Sequence, residues 1–136
     1  SSTANGPLAY SWKLKLNETA KIPAFSNVVP ELNHNEMNGY DVTRRTRELS
    51  RRFHFIFLRD AEDHPRIQRR MEVMVRLYKN RRLPVAVVDI EGKSAVEKMF
   101  SSLVLADWTA LLLGEYYGVE TEQVPMVEEF KKQIAS

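Results

Sequence analysis

Two short segments carry residues that could move protons. In Asn17-Glu18-Thr19-Ala20-Lys21-Ile22-Pro23 a single carboxylate falls in the last turns of an amphipathic stretch closed by proline. A carboxylate there opposes the negative end of the helix dipole, a setting that suits a general base. The same spacing equally fits a surface glutamate paired with Lys21 at i,i+3. In Pro30-Glu31-Leu32-Asn33-His34-Asn35-Glu36 a histidine stands among asparagines, where neighbours can fix the tautomer of an acid–base group. Two plainer readings stay open for His34. One is a loop histidine with only local hydrogen bonds. The other is a metal ligand acting with Glu31 and Glu36, although no HExxH pattern or second nearby histidine accompanies it.

Other candidates read more simply. His54 alternates with Phe53 and Phe55 and is expected to be a structural strand histidine. Asp60 follows the carboxyl end of a strand, where α/β proteins place functional groups, but Arg59-Asp60-Ala61-Glu62-Asp63 also reads as solvated loop charge. His64 is placed to help cap a helix. Trp12 and Trp108 lie in helical apolar stripes and are expected in the core. The five glycines are scattered, so no glycine-rich phosphate loop or nucleotide fingerprint is present.

The elements that must position these groups follow from periodicity. Gly6-Pro7 opens a helix whose Leu8, Trp12 and Leu16 recur every four residues through Tyr10–Lys21, with Pro23 ending it. Residues 24–36 lack a sustained period and read as a long ordered loop with one helical turn. The aromatic run Phe53–Leu58 reads as a buried strand. Asp63 is a candidate N-cap for a helix with Pro65 in its first turn and Ile67, Met71, Met74, Val75 and Tyr78 on one face. Leu83–Ile90 is a second strand, and Ala95–Tyr117 a long helix apolar on most sides, expected to be buried and closed by Gly118. Pro125 opens a final helix with Glu128 and Glu129 early and Lys131 and Lys132 late, matching its dipole. This order predicts an α/β fold, a three-layer sandwich with a mainly parallel sheet flanked by helices. Only Ser1–Asn5 precede the first helix, so the sheet is expected to lack its first strand.

Composition narrows the classes. With 136 residues, 43% of them hydrophobic and 28% charged, the sequence suits one globular domain rather than a disordered chain. Without cysteine there are no disulfides, thiolate nucleophiles or cysteine-held metals, which is compatible with a cytoplasmic protein. No apolar stretch is long enough to span a bilayer, and no secretory leader pattern opens the sequence. Arginines cluster in Arg44–Arg52 and Arg66–Arg70. With acids interspersed and a net charge of +2, they read as solvated faces rather than a nucleic-acid footprint.

Taken together, the segments resemble the C-terminal half of the bifunctional phosphoglucose/phosphomannose isomerases, a branch of the sugar isomerase (SIS) domain family. Leu16-Asn17-Glu18-Thr19-Ala20-Lys21-Ile22-Pro23-Ala24 resembles the family's Asn-Glu-Asn-Ala-Lys block, with threonine replacing the second asparagine. Pro30–Glu36 resembles its Pro-Glu-x-x-His-Asn block. Gly118-Val119-Glu120 followed by Val127-Glu128-Glu129-Phe130-Lys131 resembles its terminal glycine–valine–acid turn and lysine-bearing helix. The resemblance covers essentially the whole chain and implies a single C-terminal SIS domain over residues 1–136, with a flavodoxin-type sheet. It implies aldose–ketose isomerisation of glucose-6-phosphate or mannose-6-phosphate to fructose-6-phosphate through a cis-enediol, with no metal or organic cofactor. Glu18 matches the general base, and His34 the ring-opening histidine that reaches the neighbouring subunit's active site. Lys131 matches the lysine near the ring oxygen and enediolate, with Lys132 one residue out of register. The implied partners are a sugar-phosphate substrate, an N-terminal SIS domain bearing the phosphate loops, and a second copy in a homodimer. The isolated domain would then be inactive. A non-catalytic SIS domain that binds a sugar phosphate for regulation is the alternative.

Overall fold

A computed structural model describes residues 1–135. Its nucleus is a pair of parallel strands, β1 (Phe55–Arg59) and β2 (Val85–Asp89), in register from Phe55 opposite Val85 to Arg59 opposite Asp89. Side chains alternate across a strand, so β1 feeds two separate cores. Phe57, with Phe55 beside it, packs against Met71, Met74 and Tyr78 of α3 (Pro65–Asn80). Leu58, with Ile56 and Val88, packs on the opposite face with Leu8 and Trp12 of α1 (Gly6–Glu18) and Ala106 of α4 (Ala95–Tyr117). The fold is therefore α/β, a helix–sheet–helix sandwich around a parallel sheet, as expected.

Several boundaries differ from the sequence expectation for local reasons. A short helix, α2 (Arg47–Ser50), precedes β1, and the Phe53 amide donates to the Ser50 carbonyl in the turn that follows it. β1 accordingly begins at Phe55, whose amide donates to the Pro84 carbonyl, and His54 is an exposed residue ahead of the strand rather than a structural one within it. Helix α1 stops at Glu18, well short of Pro23. The Ile22 amide closes back onto the Leu16 carbonyl, the Asn17 side chain donates to the Ile22 carbonyl, and Lys21 adopts a left-handed φ of 56°. This local closure, with side chain and backbone together satisfying the helix end, pre-empts the proline. At the start of α3 the N-cap is His64, whose Nδ1 accepts from the Arg66 amide, and not Asp63.

The long loop holds two 3-10 turns, Glu31–Asn33 and Glu36–Tyr40. Ser2 makes an isolated parallel bridge to Val29. Helix α4 spans the expected residues, and Gly118 ends it with a left-handed φ of 67°. Its burial is the main departure. The buried side carries Lys98, Ser102, Ala106, Ala110 and Gly114, whereas Phe100, Val104, Trp108, Leu112 and Tyr116 are exposed. Trp108 is thus a surface residue, while Trp12 is in the core as expected. The last helix, α5 (Pro125–Ile134), is exposed along its length.

Candidate functional site

Helix α1 is the element that places Glu18. It lies along the small-residue side of α4, where Ser102, Ala106, Ala110 and Gly114 recur at i,i+4 and let the two helices approach closely. The indole Nε1 of Trp12 donates to the Ser102 hydroxyl at 3.0 Å within this buried seam. Lys15 pairs with Asp107 at 2.7 Å along its edge. At the far end a methyl group on Gly114 would stand 3.3 Å from the Thr19 carbonyl and 2.4 Å from Thr121 Cγ2. The turn beginning at Glu18 therefore abuts the carboxyl end of α4, just ahead of the segment that leads to α5.

Glu18 itself is exposed. Lys21 Nζ donates to the Glu18 backbone carbonyl, not to the carboxylate, so the i,i+3 ion pair allowed by the spacing is not formed. Among the described residues no cation pairs with the Glu18 carboxylate.

His34 caps the first 3-10 turn through its backbone: its amide donates to the Glu31 carbonyl and its own carbonyl accepts from Asn38. The imidazole is left at the surface. Neighbouring Leu32 anchors this loop in the core on the α3 side, and the Arg70 guanidinium donates to Asn33 Oδ1 at 3.3 Å. The acids around His34 face asparagines. Asn35 donates to Glu31 at 3.0 Å and Asn27 to Glu36 at 2.8 Å. Among the described residues no three His, Asp or Glu side chains are grouped to hold a metal ion.

Lys131 is exposed on α5 and pairs with Glu128 at 2.7 Å. Within one chain the structure does not bring Glu18, His34 and Lys131 together. Glu18 ends the helix on one face of the sheet, His34 belongs to the loop packed on the other, and Lys131 stands on an outlying helix. A cleft of about 380 Å³ opens beside His34, lined by Asn35, Glu36, Gly39, Tyr40, Leu49, Ser50 and Phe53. A second, of about 190 Å³, lies between β1, β2 and α3 at Phe57, Arg59, Met71 and Val87.

The carboxyl end of β1 is occupied differently from the sequence reading. Asp60 is not solvated loop charge. It is buried and accepts from Lys98 Nζ at 2.8 Å, from the Glu62 amide at 3.0 Å and from Asn5 at 3.4 Å. The two charged side chains are only 11% and 12% exposed, and Lys98 also reaches Glu62 at 2.9 Å. Burial alone would raise the Asp60 pKa, but Lys98, the Glu62 amide and Asn5 outweigh it and hold the carboxyl below its ordinary value. Hydrogen bonds to Asp60 and Glu62 raise that of Lys98 in turn. The signal for this pair was Lys98 itself, a lysine four residues before Ser102 on the side of α4 that faces the sheet. Beyond it, Arg59 and Asp89 form a two-pronged pair at 2.6 and 2.9 Å across the strand ends. Within the arginine clusters Arg51 pairs with Glu48 and Arg69 with Glu72. No helix among the described residues is long and apolar enough to cross a membrane.

Known proteins match the chain along nearly its whole length. The bifunctional phosphoglucose/phosphomannose isomerase of Thermoplasma volcanium is 34% identical over 128 residues, 94% of this chain and 39% of the relative. The enzyme of the same name from Caldicellulosiruptor bescii is 33% identical over 94% of the chain and 37% of its own length. That from Aquifex aeolicus is 28% identical over 93% and 38% respectively. The chain thus spans about two-fifths of the length of these curated relatives. The family model described as the bacterial phospho-glucose isomerase C-terminal SIS domain matches residues 1–134, and the chain belongs to that family.

Proposed function

We propose that this domain supplies the proton-transferring half of a sugar-phosphate aldose–ketose isomerase, interconverting glucose-6-phosphate or mannose-6-phosphate with fructose-6-phosphate. The match of residues 1–134 to the C-terminal SIS domain carries this reading. In the reaction Glu18 removes the proton from C2 of the open-chain aldose as the carbonyl oxygen at C1 gains one, giving a cis-enediol. Loss of the proton on the C2 oxygen and return of the carbon-bound proton from Glu18 to C1 then complete the ketose. Glu18 fits the role because no cation among the described residues binds its carboxylate, which sits exposed at a helix end. His34, donated by a neighbouring subunit, protonates the ring oxygen during opening and accepts from the C1 hydroxyl. An exposed imidazole on a loop anchored by Leu32 is suited to that reach.

The helical geometry of α5 favours Lys131 over Lys132 as the cation near the enediolate. At about 100° per residue, Met126, Val127, Phe130 and Ile134 share one apolar sector about 100° wide. Lys131 borders that sector at Val127, whereas Lys132 points away from it. When the apolar side of α5 seats against another surface, Lys131 lies at the rim of the contact. Its exposed pairing with Glu128 is a weak tether, about 0.5 kcal/mol, and does not prevent this.

The separation of the three groups within one chain accords with a site completed by a second subunit and by a phosphate-binding domain. The 136 residues alone are accordingly expected to turn over no sugar phosphate. The test is conversion of glucose-6-phosphate to fructose-6-phosphate by the full-length polypeptide that carries this domain. Glu18→Gln should lower kcat about 10²–10⁴-fold. Wild-type turnover by this variant would reject Glu18 as the base, whereas no turnover by the unaltered full-length polypeptide would leave the regulatory sugar-phosphate-binding reading in its place.

A further inference from the structure

Helix α4 presents to solvent what a globular domain normally hides. Val96, Phe100, Val104, Trp108, Leu112 and Tyr116 follow one another at i,i+4, and all are exposed. Phe100 is 58% exposed, Trp108 58%, Tyr116 81% and Tyr117 57%. With about 150–250 Å² per aromatic side chain, these four alone leave about 400–600 Å² open. That already equals the largest apolar patch usual on a monomer, about 300–600 Å², before the aliphatic residues are added. The whole stripe approaches the roughly 800 Å² per side of a stable interface.

Covering it would desolvate almost no charge. Between Lys98 and Glu115 the only charged residue of α4 is Asp107, and Lys15 already holds it. Thr109 is spent on the Leu105 carbonyl at 2.7 Å. A row of large residues at i,i+4 is also the ridge that settles into the grooves of another helix.

We propose that this stripe is the seat of the remaining domain of the full-length polypeptide, which lays an apolar helical face along α4 within the same copy. The relatives are about two and a half times as long as this chain, so their further three-fifths supplies a surface of domain size. This choice of partner rests on the isomerase reading, on which a further domain of the same polypeptide must complete the site, and a second copy is the occupant the test distinguishes from it.

A photo-crosslinking amino acid placed at position 108 of the full-length polypeptide tests this. The protein is assembled from an equal mixture of ¹⁴N- and ¹⁵N-labelled copies, unfolded and refolded together before irradiation, and the crosslinked peptides are weighed. The expected result is crosslinks from position 108 to residues outside this domain, each joining peptides of one isotope only. Crosslinks of mixed isotope would overturn the proposal in favour of a second copy, and absence of any crosslink would show the stripe to be free. Acrylamide quenching of the full-length protein compared with its Trp108→Phe variant gives an independent reading, because the difference between the two reports Trp108 alone. Protection is expected, and quenching as free as that of an exposed indole would count against the seat. Neither readout depends on turnover, so failure here is separate from failure of Glu18→Gln in the isomerase assay.

Discussion

The seam between α1 and α4 determines where Glu18 stands, and the Trp12–Ser102 hydrogen bond is the polar contact inside it. Trp12→Phe removes the indole N–H and leaves the Ser102 hydroxyl buried without that partner, a penalty of about 1–3 kcal/mol. The smaller ring gives up roughly a further 1 kcal/mol of buried apolar area. Ser102→Ala leaves the indole N–H unpaired at about 1–3 kcal/mol. Each single change therefore counts the same orphaned bond, and the double variant should be more stable than the sum of the two by about 1–2 kcal/mol. Urea unfolding followed by far-ultraviolet circular dichroism measures this without relying on the altered tryptophan. For a domain of this size each kcal/mol corresponds to about 3–5 °C in Tm. A coupling of zero within about 0.5 kcal/mol would refute the claim that this bond joins the two helices.

Gly92→Ala would place a methyl group 2.5 Å from the Lys98 backbone nitrogen and 3.0 Å from the Glu97 carbonyl carbon, so the first turn of α4 must shift. A loss of about 1–3 kcal/mol is expected in thermal unfolding, and a wild-type melt would show the space to be larger than described. Burial raises the Tyr78 pKa to about 12, with Glu36 adding to the effect. Because the folded value lies above the ordinary 10, Tyr78 favours the native state below pH 10 and loses that contribution as pH rises towards 12. Ultraviolet titration should show Tyr78 ionising late and together with unfolding, and Tyr78→Phe should remove that step; a titration at pH 10 with the fold intact would contradict the burial argument. Asp60 runs the other way. Its folded pKa is below the ordinary 3.8, so its contribution is complete above that value and lost as pH falls through the folded one. The acid limb of stability should therefore be shallower in Asp60→Asn, and an unchanged limb would place the acid sensitivity elsewhere.

Much of this architecture was legible in the sequence because it rests on period. The apolar faces of α1 and α3 and the two runs around β1 and β2 repeat at helix and strand spacing, and the helices and the parallel pairing followed. The buried side of helix α4 is not legible in the sequence because hydrophobicity alone does not record side-chain size. Ser102, Ala106, Ala110 and Gly114 are less apolar than Leu112 or Trp108, yet they face the interior because only small residues let α1 approach. The end of α1 was misplaced because Asn17 and a left-handed Lys21 close it through bonds that no hydrophobic pattern carries. Asp60 reads as loop charge in the sequence because its partner lies 38 residues onward in another helix. The proton-transfer candidates were visible as residue types in loops and helix ends, but their roles came from the resemblance. Glu18, His34 and Lys131 lie on separate elements, and nothing within one chain marks them as a set.

The claim that Glu18 carries the proton is tested most directly by solvent exchange. In D₂O, the full-length polypeptide should place deuterium on the carbon next to the carbonyl of its sugar-phosphate product, because the carboxylate trades its proton with water between abstraction and return. Glu18→Gln should abolish exchange and isomerisation together, while His34→Gln should retain exchange on open-chain substrate and lose turnover of the ring form. Deuterium incorporation at the wild-type rate in Glu18→Gln would contradict the account.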